Sequence, residues 1–171
     1  MRAELLVLRF VHIISAIMWL GSGVFVAFFL MPAVATNRQI MPQLMDGLQR
    51  RKVFVILPFA GLLAVLSGAR LLWINSAGFD GSYMDTGPGR TFSIGGVAAI
   101  IALLLQVFVA RPAGVRLGAI AAQLAGSPAP GDRDRLSAEA DRLRQRNTMA
   151  TLAAVSFGLL AASAMAIARY V

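Results

Sequence analysis

Phe10-Val11-His12-Ile13-Ile14-Ser15-Ala16-Ile17-Met18-Trp19-Leu20-Gly21 decides what kind of protein this is. The run lies inside an apolar stretch from about Leu5 to Val34, far too long for a strand. Three more such stretches follow, at about Val53–Ile74, Thr91–Ala110 and Met149–Ala168. Each supplies the roughly 20 residues that cross a ~30 Å hydrocarbon layer at about 1.5 Å per residue. The pattern predicts an all-α integral membrane four-helix bundle, a single domain over residues 1–171.

Composition agrees. Of 171 residues 58% are hydrophobic, with a mean hydropathy of +0.72, whereas soluble domains run about 45–50% apolar. There is no cysteine, which excludes disulfides, thiolate metal sites, iron–sulfur ligation and cysteine nucleophiles.

The formal charge of +8 is distributed unevenly. With four spans, the Ala35–Lys52 and Arg111–Thr148 connections share one side of the membrane. They carry Arg38, Arg50, Arg51, Lys52, Arg111, Arg116, Arg133, Arg135, Arg142, Arg144 and Arg146. The other side has Arg2, Arg9, Arg90 and Arg169, with Arg70 near it. Eleven against five is a positive-inside bias. It predicts both termini outside and the two basic connections in the cytoplasm, against anionic lipid headgroups. No nucleic-acid recognition fold is visible. Arg2 and Arg9 oppose this orientation locally, and Ala33-Val34-Ala35 mimics a signal cleavage site. The apolar run before it is too long for a signal core, which favours a retained helix.

Within this frame Met31-Pro32 is expected to end span one, since proline lacks an amide donor and restricts its predecessor. Residues 40–52 read as a short surface helix with Pro42 in its first turn, and Pro58 as a kink in span two. The Asn75–Arg90 loop is expected to be irregular, with Phe79, Tyr83 and Met84 at the interface. The second basic connection breaks at Gly126-Ser127-Pro128-Ala129-Pro130-Gly131. Before it, Val115–Leu124 reads as an interfacial amphipathic helix. After it, Asp132–Asn147 reads as a solvated extension of span four, with Glu139 spaced to pair with Arg135 and Arg142. Small residues let helices approach closely in lipid. Ala150, Ala154, Gly158, Ala162 and Ala166 form such a stripe on span four; Gly61 and Gly68 recur on span two. One stripe is a candidate homodimer contact, and the Asp132–Asn147 helix a candidate docking surface for a larger membrane complex.

His12 is the only histidine, and an imidazole is costly to place in hydrocarbon. Depth along the spans collects His12, Ser15, Ser67, Arg70, Trp73 and Ser163 near one outer-leaflet pocket. A cation beside an imidazole suits a haem propionate or a quinone oxygen. Three readings of His12 stand at this point: interhelical hydrogen bonding, ligation of metal or haem, and proton or quinone chemistry. Arg70 likewise either lines the pocket or snorkels to the headgroups. A bis-histidine haem b needs a second imidazole. For copper(I) or haem the best-placed soft partner is Met84. Gln106 is expected to make an interhelical hydrogen bond. No serine–histidine–acid grouping, phosphate loop or paired intramembrane carboxylates are present, which argues against hydrolase, kinase and proton-pump functions.

The His12-Ile13-Ile14-Ser15-Ala16-Ile17-Met18-Trp19-Leu20-Gly21 run resembles the first helix of small bacterial copper resistance protein D-like membrane proteins. More distantly it is similar to haem-binding protoporphyrinogen oxidases of the HemJ type. Leu66-Ser67-Gly68-Ala69-Arg70-Leu71-Leu72 resembles the end of that group's second helix. The likeness covers mainly spans one and two. It implies a membrane bundle and a copper or haem role for His12. The combined expectation is a non-catalytic protein whose outer pocket binds copper, haem or quinone. The alternatives are a haem-dependent membrane oxidoreductase and an accessory subunit.

Overall fold

The computed structural model describes residues 2–36, 40–126 and 129–171. Arg38, and Ser127 and Pro128 of the expected break, lie outside the described residues, as do the side chains of Ala35, Met41 and Pro42. Every regular element among the described residues is helical. The first long helix starts as Arg2–Ala16 and ends as Met31–Thr36. Between them lie two π-helical segments, Ile17–Gly21 and Val26–Leu30, separated by Ser22–Phe25. A short helix, Met41–Arg50, leads to the second long helix, Val53–Asn75, which is unbroken at Pro58. One further turn, Gly81–Met84, precedes the third, which runs Gly87–Ala125 through a π segment at Gln106–Ala110. The fourth is Pro130–Ile167, closed by a 3-10 turn, Ala168–Tyr170. All four are long and apolar enough to cross a membrane.

The first helix packs against the second and the third against the fourth, and smaller contacts between second and third and between first and fourth close the bundle. Its interior is built from small residues: Ala60, Ala64, Ala98, Ala102, Ala161 and Ala164 are buried. Large apolar side chains point the other way, with Leu6 and Phe10 each 68% exposed and Phe108 67%. This inverts a water-soluble core and suits helices that meet each other by close approach and meet lipid with their bulk.

The proline expectation for span one is corrected. The helix does not stop at Met31-Pro32, and the third helix likewise runs on through Pro112. Each proline stands two residues past the end of a five-residue π segment, and the residue between bonds one residue further back than an α-helix requires. Met31 N–H reaches Val26 O, and Arg111 N–H reaches Gln106 O. The widened turn relieves the clash between a proline ring and the carbonyl four residues earlier. Val115–Leu124 is therefore a continuation of the third helix rather than a separate interfacial one. It packs on the extension of the fourth around buried Ile120, Leu136 and Ala140, with Leu117, Leu124 and Leu143 at the margin.

Asp132–Asn147 is helical and continuous with the apolar segment, as expected. Its pairing differs from expectation, because Glu139 bonds across the hairpin to Arg116 Nε at 2.7 Å, while Arg135 and Arg144 pair with Asp132 and Asp141. The span-four stripe also rotates out of register. Ala150 and Gly158 are buried but Ala162 and Ala166 are exposed, and the buried row steps through Val155, Ala161, Ala164 and Ala168. Four residues turn an α-helix about 40° past a full circle, so four such steps carry Ala166 about 160° away from Ala150.

The expected irregular loop is partly ordered. Ala77, Gly78 and Phe79 take left-handed φ of 49°, 92° and 64° and end the second helix. The buried Ser76 hydroxyl accepts the Phe79 amide at 2.8 Å. Thr86 caps the third helix by accepting the Gly89 amide at 3.1 Å, which starts it at Gly87, before Thr91. A Cβ on Gly89 would fall on the Tyr83 carbonyl, so only glycine admits this turn.

Candidate functional site

The first two long helices are joined by a repeated contact in which a ring of the first lies on a glycine of the second. A Cβ on Gly68 would stand 2.8 Å from His12 Cε1, and one on Gly61 would stand 2.8 Å from Trp19 Cε2. Both rings and both glycines are seven residues apart, two turns on each antiparallel helix, so one register sets both contacts. Trp19 is buried against Ala60, Ala64 and Ala102, and its indole N–H donates to Gln106 Oε1 on the third helix. The interhelical role expected of Gln106 is thus observed. Trp19 and Gln106 both lie in π segments, which bring them face to face.

His12 is half-buried on Gly68. Its Nδ1 lies 2.8 Å from Ala64 O and 3.4 Å from Ser67 Oγ. A carbonyl only accepts, so Nδ1 carries the proton and the lone pair of the neutral ring is on Nε2. Ser67 fits this tautomer: its own hydroxyl donates back to Leu63 O, turning oxygen lone pairs toward the ring. Among the described residues Nε2 makes no hydrogen bond, yet it is not sealed inside. A fixed Nδ1–H on a backbone carbonyl is the outer support that ligating histidines commonly have. Gly68 and the Ala64 carbonyl were missed as parts of this site, although the Gly61/Gly68 spacing was the available signal.

Arg70 is near but otherwise engaged. Its Nη2 bonds Glu4 Oε1 at 2.8 Å, and its guanidinium lies 4.5 Å above the Trp73 ring. The expectation of a free cation beside the imidazole is therefore corrected: Arg70 is neutralised by Glu4, toward the end of the bundle. Ser15 is buried one turn beyond His12. Ser163 is exposed and does not join the group. Ser93 spends its hydroxyl on Gly89 O of its own helix, and Thr91 on Gly87 O. Met84 is half-buried in the turn before the third helix and is not within hydrogen-bonding reach of the ring. The structure thus joins His12 with Ser67, and Arg70 with Trp73, and leaves Met84 apart.

Among the described residues no three histidine, aspartate or glutamate side chains gather as a metal cage. Two shallow, open recesses lie elsewhere, on the flanks of the third helix beside Arg111 and beside Arg142. Comparison with protein-family models, curated proteins and solved structures finds no match to the chain.

Proposed function

We propose that this chain is a four-span bacterial inner-membrane protein, both termini outside, that binds one haem b through His12 Nε2 without catalysing a reaction itself. The observation that carries the reading is the fixed tautomer, with Nδ1–H given to Ala64 O and an unengaged Nε2 lone pair. A bare copper ion needs two or more protein donors, and among the described residues no group of three histidine, aspartate or glutamate side chains gathers to hold one, which favours haem over copper. A porphyrin brings four nitrogens of its own, so a single imidazole suffices as the protein's share. When bound, haem supplies a one-electron couple. The chain's part is to orient the ring through Ala64 and Ser67, and to seat it on Gly68.

Protein purified from haem-replete cells is expected to show a Soret band that is absent in His12→Ala and restored by added imidazole. A wild-type protein without that band overturns haem binding, and quinone extracted from wild type but not from His12→Ala would replace it. Reporter fusions in 35–52 and 111–148 test the orientation; both must report the cytoplasm.

A further inference from the structure

We propose that the groove between the third and fourth long helices, at their basic end, seats the headgroup of an anionic phospholipid. It is a shallow, open depression rather than an enclosed cavity, with Arg142, Gln145 and Arg146 above Leu105, Val109 and Met149. Arg142 and Arg146 stand four residues apart on one face of the fourth helix. Both are exposed, and among the described residues neither has a carboxylate within salt-bridge distance. Arg116, Arg135 and Arg144, on the same hairpin, are all paired. Arg111 and Arg133 are unpaired there as well, but Arg142 and Arg146 are the two that stand side by side over the same apolar surface.

Their height fits a phosphate. Met149 opens the apolar half of the fourth helix; Arg146 stands about 4.5 Å above it and Arg142 about 10 Å, at about 1.5 Å per residue. The headgroup layer of one leaflet is roughly 5–7 Å deep. Arg146 falls within it, and Arg142 reaches down along its own aliphatic stem. Guanidinium forks match phosphate oxygens in pairs, and the Gln145 amide adds donors. Below them Ala150 and Ala153 lie beside Leu105 and Val109 as an apolar surface against which an acyl chain can lie. The charge, the depth and the apolar floor together select a lipid rather than a soluble anion. The inference rests on the membrane reading of the chain and is independent of the haem.

The test compares retained lipid on protein in nanodiscs of mixed phosphatidylglycerol and phosphatidylcholine, read by native mass spectrometry. Assembly into nanodiscs checks the membrane reading separately. Wild type is expected to retain phosphatidylglycerol preferentially. The double variant R142Q/R146Q is expected to lose about 30-fold of that preference, since each arginine at the surface contributes about 1 kcal/mol and tenfold is about 1.4 kcal/mol. R133Q, farther out on the same helix, is expected to behave as wild type. Equal retention of both lipids by wild type overturns the proposal. So does an unchanged R142Q/R146Q, an equal loss in R133Q, displacement by inorganic phosphate alone, or a second copy of the chain cross-linking through this groove.

Discussion

Gly68→Ala tests the seat of the imidazole, because two opposed effects meet there. A methyl at this position stands 2.8 Å from His12 Cε1, and the ring must move. Overpacking of this kind costs about 1–3 kcal/mol, and an interhelical hydrogen bond lost in a membrane protein costs about 0.6 kcal/mol. Against these, replacing glycine by alanine inside a helix gains about 1 kcal/mol. The net expectation is destabilisation by about 1.5 kcal/mol. With His12→Ala already in place the obstacle is gone, and the same change should stabilise by up to about 1 kcal/mol. The effect thus reverses sign between the two backgrounds. Reversible unfolding in mixed detergent, run as a double-mutant cycle, measures a coupling expected near 2.5 kcal/mol. Gly158→Ala is the internal control: its Cβ meets only the tip of Leu20, at 2.6 Å, and that side chain can change rotamer. A Gly68→Ala effect of the same sign and size with and without the imidazole would refute the reasoning.

Two further expectations concern the parts outside the apolar segments. Ile120 is fully buried between the helical extensions, and Ile120→Ala should cost about 2–5 kcal/mol locally. Amide exchange should quicken across 113–125 and 131–143 while 91–105 stays protected; uniform loss along the third helix would contradict a separately packed hairpin. The Ser82 hydroxyl bonded to Asp80 holds that carboxyl below its ordinary value of 3.8. Because the folded value is depressed, the contribution is present above pH 3.8 and disappears as pH falls through the folded midpoint. An NMR titration of Asp80 should find a midpoint below 3.8 that rises toward it in Ser82→Ala; an unmoved midpoint counts against the bond.

The four long helices were legible because lipid-crossing length and apolar continuity are one-dimensional properties. So was the helical character of Asp132–Asn147, and so was the interhelical duty of Gln106, an isolated amide in an apolar run. Contacts set by the mutual register of two helices were not. Glu4 meets Arg70 across 66 residues of chain, and nothing local announces it. The span-four stripe failed for a geometric reason, since a repeat of four outruns a helix of 3.6 residues per turn. Pro32 misled because its cost was charged to an α ladder, whereas the chain answers it, and Pro112 too, with a wider turn before each. Of the site, His12 and Ser67 were found together. Met84 and Ser163 were grouped by depth alone, and depth leaves rotation about the helix axis free.

The segment Arg111–Ala125 projects about 22 Å past the apolar part of the third helix, at about 1.5 Å per residue. Ile120, Leu136 and Ala140 clamp it to its neighbour, so any tilt of one rod must carry the other with it. A tilt of about 10° between bilayer and bundle would sweep the far tip through about 4 Å, on this length of helix. The length of the paired extension thus multiplies any small rotation at its base into a displacement of a few ångström at its tip, about 4 Å here.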